Sequence, residues 1–487
     1  MTNNSMSNNS MADAKSSDTL STFNLSTLLL SDKKKLAATL TVFLVIGFIE
    51  FFGLPGLGLT KAQEITAGIL LVAAILWVSE WVSLFVVSFL ILALQTIWLL
   101  PHISLGEAVA KPAIFYDSFF NNIILLFLGG FVLSAMMQKY GLDLRFAQAI
   151  LARTKGKPAA TLLGIIIVCA FLSMWISNTA TTAMMLTIIF PLLKHIDSDH
   201  RFRVALVLSV PFACNIGGIG TPIGTPPNAI ALSYLTQQGF HISFLQWMML
   251  TFPFMVVFLL VLWQLLLWMY PAKGIVLQIK ERDTGTLGLK HWAAIGIFIA
   301  TALGWFFGGS LGLSTGTVAL LPVITSFWFG LLDTADFRKL PWDILYIISG
   351  GLALGVALQL SGLGDVLVST LPLDVSPLLI LAFAGFAAGA MSTVMSNTAT
   401  AGLIIPLVIS LDISHTMMLA LVTTLALMCS MAMALPVTTP PNAIAFSSRA
   451  INTRDMMICG GIMTILGFIV LILVGPMYWK MILSTFV

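Results

Sequence analysis

The chain has 487 residues, 58% of them hydrophobic and 9% charged, with a mean hydropathy of +1.01 and a formal net charge of +3. A soluble domain is roughly a quarter charged, so this composition excludes a soluble enzyme or a nucleic-acid-binding protein and defines an all-α polytopic membrane protein. The four cysteines, Cys169, Cys214, Cys429 and Cys459, lie in apolar stretches at no metal-ligand spacing and read as small core residues.

In chain order, residues 1–36 are rich in Ser and Asn and read as a disordered cytoplasmic tail. The basic cluster Lys33-Lys34-Lys35 then runs into an apolar helix with no small-residue cleavage site, which is not a signal-peptide pattern. Residues 37–64 hold the first transmembrane helix, with apolar crossings at 37–54, 65–81, 83–100 and 120–147 behind the tail. Residues 159–193 contain no charged residue and lie between two basic loops, Arg153 to Lys157 and Lys194 to Arg203. Basic residues at both ends predict a re-entrant hairpin that enters and leaves on the cytoplasmic side. A crossing broken by Gly and Pro (204–238), one at 245–270 and the basic cytoplasmic linker 271–290 follow. The second half repeats the scheme with 291–309, 313–332, 343–368, a second hairpin at 376–410, a Pro-broken crossing at 416–447 and a last one at 456–485.

Charge tests this topology. With the N terminus inside, the cytoplasmic face collects Lys33 to Lys35, both basic loops, the linker, Arg338-Lys339, Arg449 and Arg454, leaving Lys61, Lys111 and Lys480 outside. The second hairpin is flanked by Asp374, Asp412 and His415, so it is expected to open outwards. The count is about eleven transmembrane helices plus two re-entrant hairpins, with the N terminus cytoplasmic and the C terminus outside.

Two polar motifs occur twice. Ser-Asn-Thr-Ala-Thr stands at 177–181 and again at 396–400, and Thr225-Pro226-Pro227-Asn228-Ala229-Ile230 recurs as residues 439–444. Gly129-Gly130, Gln138 and Gly141 match Gly350-Gly351, Gln359 and Gly362 at one constant offset. These landmarks define an internal duplication, 65–270 and 291–487, and the opposed hairpins make it an inverted-topology repeat. Repeats of this kind hold substrate and coupling ions near the midplane on discontinuous helices. Prolines stop the helices here, and unwound backbone at such depth is tolerated where it lines a cavity.

Ser, Asn and Thr both donate and accept hydrogen bonds, so the motifs can hold a carboxylate through N–H and O–H groups and a hard cation through oxygens. Neither the hairpins nor the breaks contain Lys or Arg. A dianion there needs co-bound cations to offset its desolvation; a neutral substrate is the competing solution. A lone Ser or Thr in a membrane helix usually bonds its own backbone, but Asn in mid-membrane is costly, and both copies sit beside breaks. Glu80 reads as a helix-boundary residue, and all six histidines fall in loops or at helix ends, so neither is expected to relay protons. An intramembrane enzyme lacks a His or carboxylate near either motif, and a channel would not concentrate its anion.

Paired Ser-Asn-Thr motifs with paired Thr-Pro-Pro-Asn breaks resemble the divalent anion/sodium symporter family, the dicarboxylate and citrate carriers, over nearly everything after the tail. The resemblance implies a homodimer in the lipid bilayer, here expected in a bacterial inner (plasma) membrane, with a scaffold domain and an elevator-like transport domain. It implies Na⁺-coupled symport of C4-dicarboxylates such as succinate, fumarate and malate. A Na⁺-independent exchanger and a sulfate carrier are the rivals within the family. One Na⁺ site carries over to Ser173, Ser177, Asn178 and Gly224, the other to Ser392, Ser396, Asn397 and Thr438. The substrate site carries over to Ser177, Asn178, Thr179, Thr225, Pro226, Ser396, Asn397, Thr398, Thr439 and Pro440. The family often has Thr where this chain has Ser392, and Ala or Gly where it has Thr438.

Overall fold

Helices alone carry the regular structure of the described residues in this computed structural model, which are 32–104, 110–197, 199–277, 285–369, 376–411 and 413–484. Most of the expected tail (1–31), the centre of the basic linker (278–284), and Asp374 and Asp412 lie outside them. Eight helices are long and apolar enough to cross a membrane, and six further apolar helices are shorter. Large apolar side chains such as Phe43, Ile97, Trp268, Trp328, Phe383 and Met477 are exposed, which suits lipid rather than water.

The chain opens with α1 (Lys33–Phe51), α2 (Lys61–Ser79), α3 (Leu84–Leu94, continued by π and 3₁₀ turns to His102), α4 (Ala113–Tyr116) and α5 (Asn122–Lys139). It continues with α6 (Leu142–Ala152), α7 (Pro158–Ser173), α8 (Asn178–Leu193), α9 (Phe202–Gly218), α10 (Pro226–Gln237) and α11 (Phe244–Met269). The second half runs α12 (Leu289–Phe307), α13 (Thr315–Trp328), α14 (Thr334–Arg338), α15 (Trp342–Ser361) and α16 (Leu363–Ser369). It ends with α17 (Pro377–Val394), α18 (Asn397–Val408), α19 (His415–Met431), α20 (Pro440–Ser447), α21 (Thr453–Leu473) and α22 (Gly475–Leu483).

Several boundaries differ from the sequence expectation, each for a local reason. Residues 33–36 belong to α1, not to the tail, because the Asp32 carboxylate caps the helix by accepting from the Lys34 (3.1 Å) and Lys35 (3.5 Å) N–H groups. The single crossings expected at 120–147 and 343–368 are each divided, at Gly141 (φ 58°) and Gly362 (φ 68°), whose left-handed backbone ends a helix at little steric cost. The last crossing, expected at 456–485, begins at Thr453 and is interrupted before Gly475-Pro476. Glu80 does stand at a helix boundary, as the C-cap of α2.

Packing between the halves is reciprocal. Helix α13 lies against α5, and α3 lies against α15. Gly129 and Gly350 are the contact points: an added Cβ would come within 2.6 Å of the Ala319 oxygen at the first and 2.5 Å of Ser88 Cβ at the second. The indole N–H of Trp77 donates to the Leu84 carbonyl (3.2 Å), and that of Trp305 to the Thr315 carbonyl (3.0 Å), fixing the α2–α3 and α12–α13 turns alike. The same exchange holds for the shorter helices, with α10 packing on α18 and α19 while α20 packs on α8 and α9. Each Thr-Pro-Pro-Asn helix thereby packs against the Ser-Asn-Thr helix of the other half.

Candidate functional site

All the expected site residues lie at four interruptions: the α7–α8 and α17–α18 turns and the α9–α10 and α19–α20 breaks. Each interruption follows from its sequence. Ser177 and Ser396 are the N-caps of α8 and α18, and Thr225 and Thr439 are the N-caps of α10 and α20, each followed by two prolines. Proline is preorganised for the first helical turn but cannot continue a helix upstream, so the preceding segment must unwind.

The first cluster gathers around Ser173. Its hydroxyl is fully buried, donates to the Cys214 carbonyl (2.8 Å) and meets the Asn178 amide oxygen. In the second cluster, the buried Ser392 hydroxyl lies 2.8 Å from the Cys429 carbonyl and 2.7 Å from the Asn397 amide oxygen. A serine hydroxyl carries one proton, so each cluster has three oxygens sharing a single donor. Such a set is short of protons and rich in hard ligands, the chemistry that suits an alkali cation.

The neighbouring break closes onto each cluster. In the first, the Thr221 hydroxyl donates to the Met174 carbonyl (2.5 Å), and the Asn228 amide holds the carbonyls of Gly218 (3.0 Å) and Thr221 (2.8 Å). Gly224 lies so close to Gly218 that an added Cβ would stand 2.9 Å from Gly218 Cα and against its carbonyl. In the second, the Thr438 hydroxyl reaches the Thr393 carbonyl (3.3 Å), and the Asn442 amide holds those of Met433 and Leu435 (3.1 Å each). Met174 and Thr393 each follow the buried serine by one residue, so the breaks anchor at matching points, from different positions in the loop.

Four helix N-termini converge here, but they are not equivalent. Pro226-Pro227 and Pro440-Pro441 have no backbone N–H, so α10 and α20 offer an anion their dipoles and the Thr225 and Thr439 side chains. Backbone donors come from α8 and α18, where the N–H groups of Asn178, Thr179, Asn397 and Thr398 have no acceptor within their own helix. These four residues are half-buried, whereas Ser173, Gly224, Ser392 and Thr438 beneath them are buried. The arrangement is a partly accessible polar layer over two enclosed oxygen clusters. The motif segments carry no charged residue, and the described residues contain no group of three or more His, Cys, Asp or Glu side chains placed to hold a metal ion.

Several contributors were not singled out from sequence. The Cys214 and Cys429 carbonyls have no letter of their own. Thr221 resembles any loop threonine, while Asn228 and Asn442 stood inside the repeated hexapeptide without a role. Asn215 was legible by the rule that marked the Ser-Asn-Thr motifs, since it is a costly amide in an apolar helix.

Residues 32–485 match the family model described as "Sodium:sulfate symporter transmembrane region". The sodium-dependent dicarboxylate transporter SdcS of Staphylococcus aureus (strain USA300) is 30% identical over 488 residues, covering 91% of this chain and 92% of SdcS. The uncharacterized transporter C3B8.04c of Schizosaccharomyces pombe is 29% identical over 460 residues, covering 90% of this chain and 52% of the yeast protein. The protein is thus an integral membrane transporter. It belongs to the divalent anion/sodium symporter family.

Proposed function

We propose that the protein is a secondary active transporter that couples inward Na⁺ movement to uptake of C4-dicarboxylates such as succinate, fumarate and malate. The observation that carries this reading is the pair of uncharged oxygen clusters beneath a layer of N–H and O–H donors. The magnitudes favour cation coupling. A helix N-terminus stabilises a partly buried anion by up to about 2 kcal/mol, whereas desolvating one charge costs several kcal/mol. Helix ends alone do not comfortably hold a dianion, and no Lys or Arg lies in the motif segments. Two Na⁺ ions would neutralise it. Ser173, Asn178 and the Gly224 backbone would hold one, and Ser392, Asn397 and Thr438 the other, with Ser177 capping α8 through the Ala180 N–H and Ser396 at the matching position of α18. Asn178, Thr179, Asn397 and Thr398 would then bind the carboxylates, with Thr225, Pro226, Thr439 and Pro440 closing the site.

The reciprocal contacts of α5 with α13, α3 with α15, α8 with α20 and α10 with α18 support an inverted-topology repeat. Within it, α7–α8 and α17–α18 are the re-entrant hairpins of an elevator-type transport domain, in a homodimer with the N terminus cytoplasmic and the C terminus outside. SdcS supports the dicarboxylate reading through its name. The description of the matched model supports sulfate as the rival anion. Purified protein in liposomes tests both. Succinate uptake is expected to require an inward Na⁺ gradient and to be inhibited more strongly by fumarate and malate than by sulfate or citrate. Uptake unchanged when Na⁺ is replaced by K⁺ would sink the symport reading, and stronger inhibition by sulfate would sink the dicarboxylate reading.

A further inference from the structure

Asn215 begins a polar path from the first oxygen cluster to the break beside the second. Asn215 in α9 is 1% exposed, and its Nδ2 lies 3.4 Å from Thr439 Oγ1 and 3.3 Å from Asn442 Oδ1 in the other half of the chain. Its backbone neighbour Cys214 supplies the carbonyl of the Ser173 cluster. At the far end, Asn442 holds the Met433 and Leu435 carbonyls of the second break, and its own N–H donates to Thr439 Oγ1 (3.3 Å). A continuous polar path therefore runs from the first cluster, through Asn215 and Asn442, to the loop that closes the second.

The path is one-sided. Ser430 follows Cys429 as Asn215 follows Cys214, but its hydroxyl turns back onto the Ala426 carbonyl of its own helix (3.3 Å). The Asn215 amide oxygen is buried without a partner. Packing alone would not retain such a group, since a buried polar atom left unpaired is costly.

We propose that Asn215 is a positioning residue that couples the two Na⁺ sites, so that occupation of one orders the ligands of the other. The inference rests on the symport reading above. A shift of the Cys214 carbonyl on ion binding moves Asn215 with it, and the amide passes the shift to Thr439 and Asn442. Coupling between sites is measured as a change in affinity, roughly 5-fold or more in established cases.

Na⁺ titrations of the purified protein, read by thermal stabilisation without substrate and by succinate uptake in liposomes, test it. Asn215→Ser, which copies the residue at the second position, and Asn215→Ala are compared with Ser430→Ala. Both Asn215 variants are expected to raise the Na⁺ midpoint by roughly 5-fold or more and to lower the Hill coefficient from above 1 to about 1. Ser430→Ala is expected to titrate like the wild type. Wild-type titrations of both Asn215 variants, or an equal shift in Ser430→Ala, would overturn the proposal. So would failure of both Asn215 variants to accumulate folded, which would make the residue a structural one. A wild-type protein with no Na⁺ response removes the symport reading itself, and the wild-type arm alone reveals that.

Discussion

Gly224→Ala isolates the first proposed ion site from the rest of the fold. The added methyl would lie 2.9 Å from Gly218 Cα, where ordinary contact begins at 3.4 Å, so the two strands of the break must part by at least 0.5 Å (3.4 minus 2.9). The Gly218 carbonyl lies still closer to the methyl, and its own partner, Asn228 Nδ2 at 3.0 Å, resists displacement. Metal ligands tolerate about 0.2 Å of error, so the movement exceeds what the site can absorb. Overpacking of this kind costs about 1–3 kcal/mol, equivalent to roughly 5- to 150-fold in an equilibrium constant.

The expected result is a Na⁺ midpoint for succinate uptake raised at least about fivefold, with a folded protein still recovered. The second break provides a comparison at the other proposed ion site. It spans residues 432–439 against 219–225 in the first, and the longer loop accommodates Thr438 at the place corresponding to Gly224. Thr438→Ala removes two hydroxyl contacts, with the Leu435 N–H (3.2 Å) and the Thr393 carbonyl (3.3 Å), and is expected to cost only about 1 kcal/mol. Equal Na⁺ midpoints for Gly224→Ala and the wild type would refute the reasoning, because a site built on the Gly224 backbone cannot survive its displacement.

Two further outcomes follow from the same geometry. Asn228→Ala and Asn442→Ala each remove two amide hydrogen bonds and leave one carbonyl, that of Gly218 or of Met433, without its donor, and each is expected to destabilise the protein by about 1–3 kcal/mol, seen as a lower Tm in detergent; unchanged melting would show that water replaces the amide. Tyr234→Phe removes a buried hydrogen bond from α10 to the Gly351 carbonyl of α15 (2.6 Å) and is expected to cost about 1 kcal/mol. Because that contact lies away from both clusters, the Na⁺ midpoint should stay at the wild-type value, and a shifted midpoint would count against the site's placement.

Much of the architecture was legible in the order of residues. Polar pentapeptides inside uncharged apolar stretches stand out because an amide in mid-membrane is costly, and Pro-Pro pairs mark where helices must stop. Repetition of both motifs is the ground for expecting two related halves, and the absence of Lys and Arg the ground for proposing cations as the partner of an anion. Helix ends were less legible. The first helix starts at Lys33 because one aspartate caps it, and two expected crossings break at glycines that differ in no letter from the tolerated glycines nearby.

Tertiary structure alone decided what closes the site. The carbonyls of Cys214 and Cys429 lie 41 and 37 residues from the serines they meet, and a backbone oxygen carries no signature in a side-chain alphabet. The Asn215–Thr439 contact spans 224 residues and has no counterpart at Ser430, so no reading of the repeat could have supplied it. Local letters determine where a helix must break, because proline and asparagine act on their own backbone. Which broken ends meet depends on how the helices pack, and that is set by apolar surfaces distributed over the whole chain.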